Sequence, residues 1–135
     1  MIAVAAILGF GCGCGSAHTF PYVGTWLGHR KLTPLPGTDP HVVDEVSRLS
    51  LTLKNEGTFT MFDAGEKKEG EYSFEGDHVV LNVKTILDRP ISRQDAETQK
   101  RNVPITVTPM GQKLKYFDAG GIDPQGLVLE RVEKS

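Results

Sequence analysis

Val46-Ser47-Arg48-Leu49-Ser50-Leu51-Thr52-Leu53-Lys54-Asn55-Glu56-Gly57-Thr58-Phe59-Thr60-Met61-Phe62 decides the fold. Leu49, Leu51 and Leu53 alternate with Ser50, Thr52 and Lys54. That is the period of a strand with one face in a core and one in water. Asn55-Glu56-Gly57 is a turn, and Phe59 and Met61 resume the alternation beyond it. Residues 46–54 and 58–62 therefore read as an antiparallel hairpin.

Working outward, the same pattern recurs at residues 22–32, 70–74, 79–83, 103–108, 113–117 and 127–132. Turn residues punctuate it, at Ala64-Gly65-Glu66, Glu75-Gly76-Asp77 and Pro109-Met110-Gly111-Gln112. Eight strands with short connections predict an all-β fold with sequential antiparallel pairing. Closing such a meander into an up-and-down barrel removes both sheet edges. Connection length alternates as such a barrel requires. Long connections at residues 33–45, 87–102 and 118–126 fall at one end, and three tight turns fall at the other. Pro34, Pro36 and Pro40 make the first long connection an ordered, non-helical flap in this reading. In the second, Ser92 is placed to cap a short helix on which Arg93 and Glu97 pair. The tip Glu66-Lys67-Lys68-Glu69 reads as solvated.

The expected inward set is Trp26, Leu49, Leu51, Leu53, Phe59, Met61, Tyr72, Phe74, Val79, Leu81, Val83, Val103, Ile105, Val107, Leu114, Tyr116, Leu127 and Leu129. It carries almost no titratable group. Two interiors fit it: a hollow apolar cup, or a core filled by its own side chains, since eight short strands enclose little spare room.

Charge divides the chain. All 32 Lys, Arg, Asp and Glu residues (15 basic, 17 acidic) lie at or after Arg30. The net charge of −2 excludes a strongly basic nucleic-acid binder. Ile2 to Phe10 is an apolar run, too short for a membrane span of ~20 residues but of signal-peptide length. The small residues Gly11-Cys12-Gly13-Cys14-Gly15-Ser16-Ala17 follow. Residues 1–17 are thus expected to be a signal segment and tether, and 18–135 the barrel. Cys12 behind Gly11 resembles the lipidation site of bacterial lipoproteins, which implies export and a membrane anchor in the cell envelope. The alternative cleavage, before His18, yields a soluble secreted protein. A Cys12–Cys14 disulfide would be strained and close no useful loop.

Gly24-Thr25-Trp26 opens the first expected strand. It resembles the Gly-x-Trp signature of the lipocalins and the wider calycin group. The resemblance implies that Trp26 lies at the closed end of the barrel, with a basic residue of the last strand across it. Arg131, of the same parity as Leu127 and Leu129, takes that part. The resemblance covers residues 20–133, without the C-terminal helix of typical lipocalins.

His18, His29, His41 and His78 show no ligand-pair spacing, so no metal site is expected. Asp39, His41 and Asp44 cluster in the first long connection as an ordinary polar loop. Gly120 and Gly121 serve a turn, since no helix follows them to cradle a phosphate. No nucleophile elbow, phosphate loop or Cys–His pair occurs after residue 17. The sequence therefore reads as a monomeric, non-enzymatic binding module without a cofactor, anchored to a membrane by its N-terminal lipid and taking a small apolar or amphipathic ligand in its cup. The alternative is a protein-interaction or inhibitor module with a filled barrel. Leu35, His41, Val42, Ile91 and Ile122 are the candidate rim. The closed end is expected to face the membrane, since the eight steps from Cys12 to Phe20 span at most ~26–29 Å.

Overall fold

A computed structural model describes residues 21–102, 105–118, 123 and 125–132. Cys12, His18, Val103, Gly120, Gly121 and Ile122 lie outside the described residues.

The chain forms a closed, eight-stranded antiparallel β-barrel. Its strands are β1 (Gly24–His29), β2 (Arg48–Leu53), β3 (Thr58–Asp63), β4 (Glu66–Glu75), β5 (His78–Ile86), β7 (Ile105–Met110), β8 (Lys113–Asp118) and β9 (Leu127–Arg131). A two-residue strand, β6 (Arg89–Pro90), hangs on β5 outside the barrel proper. Each barrel strand pairs with its successor, β4 pairs with β5, and β9 returns to β1 through Leu27–Glu130 and Trp26–Arg131. The order is the up-and-down meander expected from sequential hairpins.

Two helices stand where loops are long. The first connection carries α1 (Pro40–Ser47) instead of the expected non-helical flap. Pro40 starts this helix because a proline in its first turn loses no intrahelical hydrogen bond, and the Asp39 carboxylate accepts from the His41 amide 2.8 Å away. The second connection holds a 3-10 turn (Ile91–Arg93) and then α2 (Ala96–Arg101). Asp95, not Ser92, caps α2, accepting from the Thr98 amide at 2.7 Å. Among the described residues no ion pair joins Arg93 to Glu97.

Every side chain of the core meets others rather than water. Trp26, Leu49, Leu51, Leu53, Phe59, Met61, Val79, Ile105, Val107, Leu114, Tyr116 and Leu129 are all below 2% exposed. These residues come from seven of the eight barrel strands, all but β4, and their near-zero exposure leaves no water-sized space beside them, so the barrel is filled along its middle. Ile86 joins this core, and Leu127 and Tyr72 pack against it half-buried. Phe74 departs from expectation at 48% exposed, although it has inward parity opposite Val79. β4 pairs with β3 only as far as Glu71, so Phe74 rides on a hairpin that overhangs the closed end. Closure between β4 and β5 depends on Gly70. A Cβ there would lie 1.9 Å from the Asn82 carbonyl oxygen, at the bulge where the ladder shifts register.

Candidate functional site

The open end of the barrel carries what the alternation of apolar residues concealed. Arg30, Asp63, Lys68, Asp118 and Asp123 are all buried there. Asp63 continues the inward parity of Phe59 and Met61, and Asp118 that of Leu114 and Tyr116. That parity was visible in the sequence, and it is the signal that finds them. Lys68, expected in a solvated tip, points inward and lies 3.4 Å from Asp63 Oδ2. The strand that carries it begins at Glu66, four residues before the expected start, so the tip is a two-residue turn at Ala64-Gly65.

Arg30 is the hub. Its Nη2 donates to Asp63 Oδ1 at 2.5 Å and to Asp123 Oδ2 at 2.6 Å, and its Nε donates to Asp123 at 3.0 Å. Nη1 donates to the Val46 carbonyl at 3.1 Å, and the Arg30 amide donates to Ser47 at 2.6 Å. One guanidinium thus ties the end of β1 to β3, to the β8–β9 connection and to the last turn of α1. Burial opposes its charge, but Asp123 and Asp63 more than offset this and hold the Arg30 pKa above its ordinary value. Three carboxylates face two cations. Burial pushes the Asp118 carboxyl above the ordinary range, the direction that relieves the surplus negative charge. Asp118 Oδ1 accepts from the Asp123 amide at 2.7 Å, and the buried Tyr116 hydroxyl, also pushed up by burial, donates to Oδ2 at 3.4 Å.

This cluster closes the mouth as a polar plug. Four of the five Arg30 N–H donors are spent on protein acceptors, so the cluster has structural rather than ligand-holding geometry. No group of three or more His, Cys, Asp or Glu side chains among the described residues is arranged to hold a metal ion.

Among the described residues, two open clefts reach Arg30 of the plug. One, of about 610 Å3, runs between α1 and the strap that precedes it, lined by Leu32, Pro34, Leu35, Pro40 and Val43 with Lys31 at its edge. The other, of about 370 Å3, separates His29–Leu32 from Gln125–Leu127. Of the expected rim residues, Leu35 lines the first cleft and is 78% exposed, and His41 and Val42 are exposed on α1. Ile91 instead packs half-buried against the core. Asp39 and Asp44 are engaged locally, Asp39 as the α1 cap and Asp44 in a 2.9 Å pair with Arg48.

No protein-family model, no curated protein and no solved structure matches this chain.

At the closed end, Trp26 is buried, and its indole N–H donates to the Tyr22 carbonyl at 2.9 Å. The Arg131 guanidinium carbon sits 4.3 Å from the centre of the Trp26 ring. Arg131 also donates to the carbonyls of Val23 at 2.7 Å and Pro21 at 2.8 Å, so it fastens the incoming chain across the floor. Gly24 makes room for it. Its φ is +137°, and a Cβ there would fall 2.7 Å from Arg131 Nη1. The Gly-x-Trp spacing thus has a steric reason here: the glycine admits the arginine that covers the tryptophan.

Proposed function

We propose that this protein is a non-catalytic, lipid-anchored module of the cell envelope, whose filled, lipocalin-like barrel is a scaffold for binding at the loops of its open end. The filled interior carries this reading. A core without water-sized space offers no cup for a small apolar ligand, which favours an interaction module over a lumenal carrier. The Gly24, Trp26 and Arg131 arrangement supports the lipocalin-like part. Cys12 behind its apolar run supports the anchor, and a short tether leaving the closed end would turn the long connections away from the membrane.

Mass spectrometry of the natively expressed protein tests this. The expected species begins at Cys12, carries acyl mass and brings no stoichiometric small molecule with it. A mature terminus at His18 overturns the anchor, and a retained apolar ligand overturns the scaffold reading. A charged substitution at Val42 is expected to abolish binding to an envelope partner, and one at Glu56 in a closed-end turn to spare it. The reverse result refutes binding at the open end.

A further inference from the structure

Another open trough, of about 430 Å3, lies on the outer shoulder of the open end, where α1 meets the wall of β2 and β3. The strand period sets its lining. Met61 and Asp63 point inward, so Phe62 between them points out, and the ladder places Ser50 of β2 beside it. Phe62 is 47% exposed, although its outward neighbours Ser50 and Lys67 are polar. Glu45 reaches the trough from the last turn of α1. Its side chain rests against the turn at Ala64-Gly65. A Cβ on Gly65 would fall 2.7 Å from Glu45 Oε1 and 3.1 Å from its Cδ. Gly65 thus leaves the space that the carboxylate fills, besides supplying the φ of +85° that the turn needs.

The cations at this trough are already matched. Arg48 lines it, but its Nη2 donates to Asp44 Oδ2 at 2.9 Å. Lys67, opposite Phe62 on β4, stands 3.5 Å from Glu69 and 3.4 Å from Asp88. The Glu45 carboxylate is the exception. Among the described residues it has no ion pair and no hydrogen bond, the Ser50 hydroxyl has no hydrogen bond, and no cation lies over the Phe62 ring. What is unmet in one trough is therefore an anionic acceptor, a hydroxyl and an exposed ring face. A guanidinium meets all three. It stacks flat on an aromatic ring while its edge donates to a carboxylate, and it gives up its hydration more readily than an ammonium does.

We infer that this trough takes an arginine side chain of the partner protein, its guanidinium stacked on Phe62 and donating to Glu45 and Ser50. This rests on the open-end binding proposed above and names the residue by which the partner is recognised.

The test titrates the full chain with N-acetyl-arginine amide and with its uncharged citrulline isostere, read by 1H–13C shifts of the Phe62 ring and the 1H–15N shift of Gly65. The arginine probe is expected to move both signals saturably, and the citrulline probe to move neither. Glu45→Gln and Phe62→Leu alter side chains outside the core, and each is expected to weaken the arginine probe several-fold. Equal shifts from the two probes, no saturable shift with the arginine probe, or unchanged binding to either variant overturns the inference. If that happens while a charge at Val42 still abolishes binding of the envelope partner, the open-end reading stands and this inference falls alone.

Discussion

Replacing Arg30 by Met is the sharpest probe of how this barrel is closed. The guanidinium is buried with Asp63 and Asp123 at 2.5 and 2.6 Å, and it also holds the Val46 carbonyl. Removing one partner of a buried charge pair costs about 3–5 kcal/mol, because the other charge is left uncompensated. Here two carboxylates lose their strongest partner, and Lys68 remains as the cation beside Asp63. The loss is therefore expected at the upper part of that range, a large share of a typical ~5–15 kcal/mol total. Urea unfolding followed by fluorescence of Trp26, the only tryptophan, measures it. One feature separates this mechanism from simple loss of packing. Arg30→Lys should recover part of the loss, since charge returns without the fork that spans both acids. An Arg30→Met variant within about 1 kcal/mol of the parent, or an Arg30→Lys variant no more stable than Arg30→Met, would refute the plug as a source of stability.

Asp118→Asn should move stability the other way. The folded-state pKa of Asp118 is raised, so its ionisation costs stability as pH climbs from the ordinary carboxylate value through the folded one. The variant is expected to be at least as stable as the parent at neutral pH, with a flatter stability–pH curve between pH 4 and 7 by denaturant titration. Trp26→Ala should cost ~3–5 kcal/mol by cavity formation, and Arg131→Ala ~0.5–2 kcal/mol through the lost contact with the ring. The parent emission should be that of a buried indole, and a spectrum typical of solvated tryptophan would contradict the floor assignment. Leu87 sits at φ +51° in the turn between β5 and β6, where a side-chain-bearing residue is strained. Leu87→Asn should raise thermal stability by roughly 0.5–1 kcal/mol, as read by calorimetry, because asparagine tolerates that conformation better.

The sequence by itself determined the all-β architecture, the sequential antiparallel order and which end of the barrel bears the long connections. These follow from local chemistry, namely period-two alternation and turn residues, both readable within a few positions of each residue. The buried core from Leu49 to Leu129 followed from the same parity, whereas Arg131 was placed across Trp26 by the resemblance of Gly24-Thr25-Trp26 to the Gly-x-Trp signature, and it lies exposed over the ring rather than inward as its parity suggested. α1 was obscured because Pro34, Pro36 and Pro40 argue against a helix until Asp39 is seen to cap one that begins at Pro40. The plug was half legible. Asp63 and Asp118 have inward parity, but a carboxylate at a strand end is ordinarily solvated, and nothing local to either announces a cation. Its partner Arg30 lies 33 positions from Asp63 and 93 from Asp123, and Lys68 is turned inward by a strand longer than its apolar residues mark. Only tertiary closure brings those charges within 3.4 Å and removes their water. Whether the barrel is a cup or a packed core was likewise beyond the pattern of alternation, which says which side chains point inward but not whether their volumes meet.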